Sequence, residues 1–119
     1  MKRILIIEDE PDVAETMKML LEREGFSAEY TLDARKGLKM VKKFDLLLLD
    51  IIMPEVSGRE VLAELKKREV KTPVIVVSAV GLPMEISDEL ARKYPGVGFV
   101  PKTAMHTELI AKVKKILGK

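Results

Sequence analysis

Three runs of branched aliphatic residues constrain this chain more than any other feature: Ile4–Ile7, Leu46–Leu49 and Val74–Val77. Successive side chains of a strand point to opposite faces. A run that is apolar at every position therefore buries both faces, as in a parallel sheet covered by helices on each side. A weaker strand fits Ser27–Thr31 and a short one fits Gly98–Val100. The stretches between them have helical spacing. Val13, Met17, Leu20 and Leu21 share one face after Pro11 and Asp12, and Gly25 marks the stop. Val61, Leu62 and Leu65 repeat the pattern. So do Leu109, Ile110, Val113, Ile116 and Leu117, with Lys112, Lys114 and Lys115 opposite. Asp33–Val41 and Met84–Tyr94 complete the set. The order βαβαβαβαβα, with right-handed crossovers, predicts an α/β doubly wound parallel sheet. At 119 residues the chain holds one such domain, spanning 1–119.

Composition removes several functions. There is no cysteine and one histidine, His106, which excludes disulfide frameworks, thiolate zinc sites and thiol catalysis. Lys plus Arg number 21 against 19 Asp plus Glu, a net charge of +2, too balanced for a nucleic-acid binder. The lysines at 36, 39, 42 and 43 are read as a solvated helix face. No apolar run approaches the roughly 20 residues that span a bilayer. The run Ile4–Ile7 is shorter than a signal-peptide core, so the chain is expected to be cytoplasmic. Asn and Gln are absent while Lys, Glu and Arg are abundant, a bias expected of a thermophilic source.

Ligands of open parallel sheets gather at the carboxyl ends of the strands. Glu8, Asp9 and Glu10 follow the first strand, Asp50 the third, Ser78 the fourth and, past Pro101, Lys102 the fifth. So many carboxylates at one edge need a positive group among them. Lys102 is one candidate; a hard divalent cation such as magnesium is the other. A cation, a lysine and a hydroxyl converging on one carboxylate describe a phosphoryl-transfer site, with Asp50 as the nucleophile. Each residue alone has a plainer role, as a cap, a turn or a surface charge. The weight lies in four matching types at four separate strand ends.

The motifs Ile-Ile-Glu-Asp-Glu-Pro-Asp at 6–12, Leu-Leu-Asp-Ile-Ile-Met-Pro-Glu-Val-Ser-Gly at 48–58, Ser78-Ala79 and Phe99-Val100-Pro101-Lys102 span nearly the whole chain. With them it resembles the receiver domain of two-component response regulators, the CheY-like family. The resemblance implies a flavodoxin-like (βα)5 fold with strand order 2-1-3-4-5. It implies that Asp50 accepts a phosphoryl group and that magnesium, or manganese in its place, is held by Asp9, Glu8, Asp50 and the backbone carbonyl of Ile52. Ser78 and Lys102 would contact the phosphoryl oxygens, and Ser78 with Phe99 would form the conformational switch. The implied donor is a sensor histidine kinase or phosphotransfer protein. The implied output is docking of a protein on the face of the fourth helix, fifth strand and fifth helix, near Met84, Ile86 and Tyr94, by a monomer or weak homodimer. A stand-alone regulator is expected, with no output domain, no direct nucleic-acid or membrane contact, and no enzymatic activity beyond self-catalysed phosphotransfer and slow dephosphorylation.

Two departures bear on this. Thr103 follows Lys102 where the family usually has proline after a cis peptide; a non-proline cis bond costs about 3 kcal/mol, so the loop either keeps it under constraint or differs. Ile52 and Val80 are apolar where polar residues could orient an attacking water, which predicts slow loss of phosphate. The alternative from another class is a phosphorylation-independent pseudo-receiver scaffold, which the intact Asp9, Asp50, Ser78 and Lys102 disfavour. A phosphatase is disfavoured because position 52 carries no second acid.

Overall fold

A computed structural model describes residues 1–51, 57–78 and 84–118, except for the side chains of Ser78 and Ile86. The five expected strands form within one residue of the apolar runs: β1 Arg3–Ile7, β2 Ser27–Thr31, β3 Leu46–Asp50, β4 Val74–Ser78 and β5 Gly98–Pro101. They pair in parallel in one sheet of order β2-β1-β3-β4-β5, as the resemblance implied.

Alternation along each strand feeds two separate cores. Leu5, Ile7, Leu47, Leu49 and Val76 face one side, against Val61, Leu62, Leu65 and Leu90. Ile4, Ile6, Leu48, Ile75 and Val77 face the other, against Met17, Leu21, Leu109 and Val113. The helices divide accordingly. α1 (Pro11–Arg23) and α5 (Ile110–Leu117) cover the second face, while α2 (Ala34–Met40), α3 (Gly58–Lys67) and α4 (Met84–Lys93) cover the first. β1 after Arg3 and all of β3 are fully buried, which explains why their sequences carry no polar alternation.

Local chemistry sets the helix starts. Pro11 occupies the first turn of α1, where no amide donor is needed. Asp12 lies inside that turn, and the capping position belongs to Glu10. Asp33 caps α2 by accepting from the amides of Arg35 and Lys36. Ser57 does the same for α3 through Glu60. Gly25 adopts φ 91° to turn the chain out of α1.

The fifth crossover departs from the simple expectation. No peptide bond among the described residues is cis, so the loop at Lys102–Thr103 differs. Lys102 opens a 3₁₀ turn over Lys102–Ala104, followed by a wide π turn over Met105–Leu109, before α5 begins. The helix read from Leu109 onward thus has an irregular first segment, anchored by the buried Met105 and Leu109. The lysines at 36, 39, 42 and 43 are all exposed, as a solvated face requires. No helix among the described residues is long and apolar enough to cross a membrane.

Candidate functional site

Strand register builds the site. Ile7 pairs with Leu49, so Glu8 and Asp50 leave the sheet side by side. Asp50 pairs with Val77 and Ser78 with Pro101, which brings Ser78 and Lys102 to the same edge. The backbone thus gathers Glu8, Asp50, Ser78 and Lys102 as the sequence predicted. The side-chain geometry of Ser78 and the whole of Ile52 and Val80 lie outside the described residues.

Glu8 is fully buried and Asp50 is 2% exposed, deep burial for carboxyl groups. Lys102 crosses to them from β5. Its Nζ lies 3.2 Å from Glu8 Oε2, 3.5 Å from Asp50 Oδ2 and 3.4 Å from Glu10 Oε1. It donates hydrogen bonds to Glu8 Oε1, Glu10 Oε1 and Asp50 Oδ2. One ammonium therefore faces three carboxyls, with Asp9 beside them.

The charge shortage has measurable consequences. Burial, reinforced by the charge on Asp50, pushes the Glu8 carboxyl up from 4.5 to about 7, although Lys102 pulls it down. Burial works against the charged form of Lys102, but the negative charge of Asp50 and Glu8 outweighs it and raises its pKa above the ordinary 10.5. Glu8 Oε2 accepts no well-aligned hydrogen bond and has only the ion pair with Lys102, while the buried Asp9 Oδ1 has no partner among the described residues. Such an orphaned acceptor normally costs about 1–3 kcal/mol or more when buried. Ligand oxygens of Glu8, Asp9 and Glu10 lie within 4.8 Å of one another, a spacing that fits one hard cation. The donor set therefore suits magnesium: all oxygen, anionic, and short of positive charge.

The packing behind Asp50 is tight. Gly58, first residue of α3, donates its amide to the Ile51 carbonyl at 2.9 Å. A Cβ at position 58 would lie 2.5 Å from both the Asp50 carbonyl and the Ile51 Cα. Only glycine lets the helix start against the end of β3, and this fixes the backbone under Asp50.

Three features were missed by sequence reasoning. Glu10 reaches Lys102, which only the direction of its side chain at the start of α1 reveals. Lys112 of α5 donates to the Phe99 carbonyl at 2.5 Å, tying α5 to β5 beneath the expected switch residue. Phe99 is half-buried and packs against the core on the side of the sheet that α2, α3 and α4 cover. Tyr94 does not sit with Met84 on an outer face. Met84 is 74% exposed, whereas Tyr94 is half-buried against the core, with Lys66 Nζ 5.8 Å from its ring.

Comparison with known proteins yields a consistent set. A family profile described as "Response regulator receiver domain" matches residues 4–114. The transcriptional regulatory protein CpxR of Klebsiella pneumoniae is 33% identical over 118 residues, covering 98% of this chain and 50% of CpxR. The chain spans about half the length of the curated relatives it matches. Among solved structures, the response regulator TrrA of Thermotoga maritima, in complex with magnesium and beryllofluoride, is 32% identical, with a TM-score of 0.82 over 98% of this chain and 99% of that one. The chemotaxis protein CheY4 of Vibrio cholerae is 20% identical with a TM-score of 0.85, covering 98% of each chain, which shows the shared fold.

Proposed function

We propose a function from the premise that this chain belongs to the family of response regulator receiver domains: it is a magnesium-dependent phospho-acceptor whose Asp50 receives a phosphoryl group and whose switch controls protein docking. The observation that supports it best is the buried Asp50 carboxylate with the half-buried Lys102 ammonium 3.5 Å from it, beside a buried Asp9 oxygen that accepts no hydrogen bond.

In this reading an Asp50 carboxylate oxygen attacks phosphorus. The new O–P bond forms as the P–N bond of a donor phosphohistidine breaks, and the imidazole keeps the electron pair. Glu8, Asp9 and Asp50, with the carbonyl of Ile52, would hold the magnesium, which when bound offsets charge on the transferring phosphoryl group. Lys102 supplies a second positive group at the same edge. Its ties to Glu8 and Glu10 keep it over the site before transfer, and its position lets it follow the phosphoryl oxygens afterwards. The phosphoryl group carries about −1.5 to −2 charges and three acceptors; because the anhydride bond uses up the carboxylate's own charge, the site gains a net of about −1, moved outward onto the phosphoryl oxygens. Ser78 would be drawn toward these from β4, and Phe99, next to β4 through Val76, would repack into the vacated space. The exposed side of α4 with β5 and α5 changes shape by population shift, and a partner that prefers the shifted state docks there.

The TrrA complex supports the choice of ion and mimic. The test is fluorine NMR of beryllofluoride added with magnesium. A bound resonance that needs magnesium and is absent in Asp50→Asn is expected. No bound resonance at any magnesium concentration would turn the reading toward a phosphorylation-independent scaffold.

A further inference from the structure

A cavity of about 570 Å³ opens at the amino ends of β4 and β5, on the sheet edge opposite Asp50. Val74 begins β4 at this cavity and Ser78 ends it at the acidic edge, so the two sites lie roughly 13 Å apart along one strand. Ligands of open parallel sheets belong at the carboxyl ends; this cavity is not part of that crevice.

Its walls are of two kinds. Leu62, Leu65, Val74, Tyr94 and Val97 make an apolar floor from the end of α3, the start of β4 and the turn after α4. Lys66, Lys71 and Lys93 stand around it with one acid, Glu69. Lys93 is paired with Glu89 at 3.2 Å. Lys66 donates to the Lys93 carbonyl and lies over the Tyr94 ring, but among the described residues neither it nor Lys71 has a carboxylate partner. Glu69 has no cation partner among the described ion pairs either, so Lys66 and Lys71 together leave a net charge of about +1 over the apolar floor, while the far edge of the same sheet is crowded with carboxylates. An anion is repelled from one end of the domain and attracted to the other. The volume lies within the ~300–1,000 Å³ of small-molecule sites.

We propose that this cavity is a second binding site, for a small amphipathic anion: an aromatic or aliphatic body on the floor of Leu62, Leu65, Val97 and Tyr94, with its acid group between Lys66 and Lys71. The site stands on its own walls and does not depend on phosphorylation at Asp50.

The probe is anilinonaphthalene sulfonate, which carries an aromatic body and one anionic group. The expected result is saturable fluorescence with one molecule bound per folded chain. Amide shifts should cluster at Val70, Thr72 and Val97. Lys66→Glu with Lys71→Glu should weaken binding at least about tenfold, since both exposed charges change sign, and Lys66→Gln with Lys71→Gln should weaken it less. Asp50→Asn should bind as wild type does, and uncharged phenylnaphthylamine should bind much more weakly. Equal affinity in the charge-reversed variant, non-saturating fluorescence or shifts clustered elsewhere would each overturn the proposal. Circular dichroism verifies folding of each variant, and if the double variant fails to fold, Lys71→Glu alone carries the comparison.

Discussion

Replacing Glu8 with Gln tests the electrostatics of the acidic edge without touching the proposed phospho-acceptor. Glu8 is fully buried beside Asp50, and its carboxyl is raised from 4.5 to about 7. Between those pH values the native state keeps a proton that the unfolded chain has lost. Stability must therefore fall as pH rises through this window, since the native state binds more protons. A displacement of this size is worth on the order of 3 kcal/mol, a sizeable part of the 5–15 kcal/mol typical of a whole domain. Gln keeps the shape and cannot ionise. Near pH 4.5 the variant and the wild type should be of similar stability; at pH 8 the variant should be more stable by about that amount. Urea unfolding in a chelator, at steps between pH 4.5 and 8, gives the difference directly. With an m-value of ~1–3 kcal/mol/M the midpoints should separate by roughly 1–3 M. Working with the difference removes the other carboxyls, which titrate in both proteins. A midpoint gap that does not grow with pH would refute the reasoning, because it would mean that Glu8 ionises as easily in the folded protein as in the unfolded one.

Three further outcomes follow from the same geometry. Magnesium affinity, read by calorimetry, should fall as pH drops below about 7, because the ion must displace the proton held by Glu8; a flat profile would remove Glu8 from the ligand set. Gly58→Ala should cost about 1–3 kcal/mol in urea unfolding and slow phosphorylation, because its Cβ meets backbone at 2.5 Å beneath Asp50; unchanged stability would show that α3 can shift at no cost. The phosphorylated protein should hold its phosphate for many minutes at moderate temperature, given apolar Ile52 and Val80; decay within seconds in a time course of intact mass would contradict this.

The fold was legible because β1, β3 and β4 are apolar at every position but one end residue, a pattern that both-face burial enforces and that leaves one sheet class. The gathering of Glu8, Asp50, Ser78 and Lys102 followed from topology alone, since a parallel sheet sends every strand's end to one edge. Side-chain direction was not legible. Glu10 is an exposed acid in any sequence reading, and only the entry angle of α1 turns it toward Lys102. Tyr94 looks like part of an outward apolar face until the turn after α4 rotates it toward α3. The basic cavity is drawn from the ends of α3, β4 and α4, so no local pattern announces it. The close approach of Gly58 to Asp50 depends on how α3 meets β3, which spacing does not encode.

Intact mass after incubation with magnesium and a small acyl phosphate tests the central claim most directly, on wild type and on Asp50→Asn. One phosphoryl adduct on the wild type, dependent on magnesium and missing from Asp50→Asn, is the predicted result. A wild type that gains no phosphoryl group, or an Asp50→Asn protein that gains one equally well, would contradict the assignment of Asp50 as the phospho-acceptor.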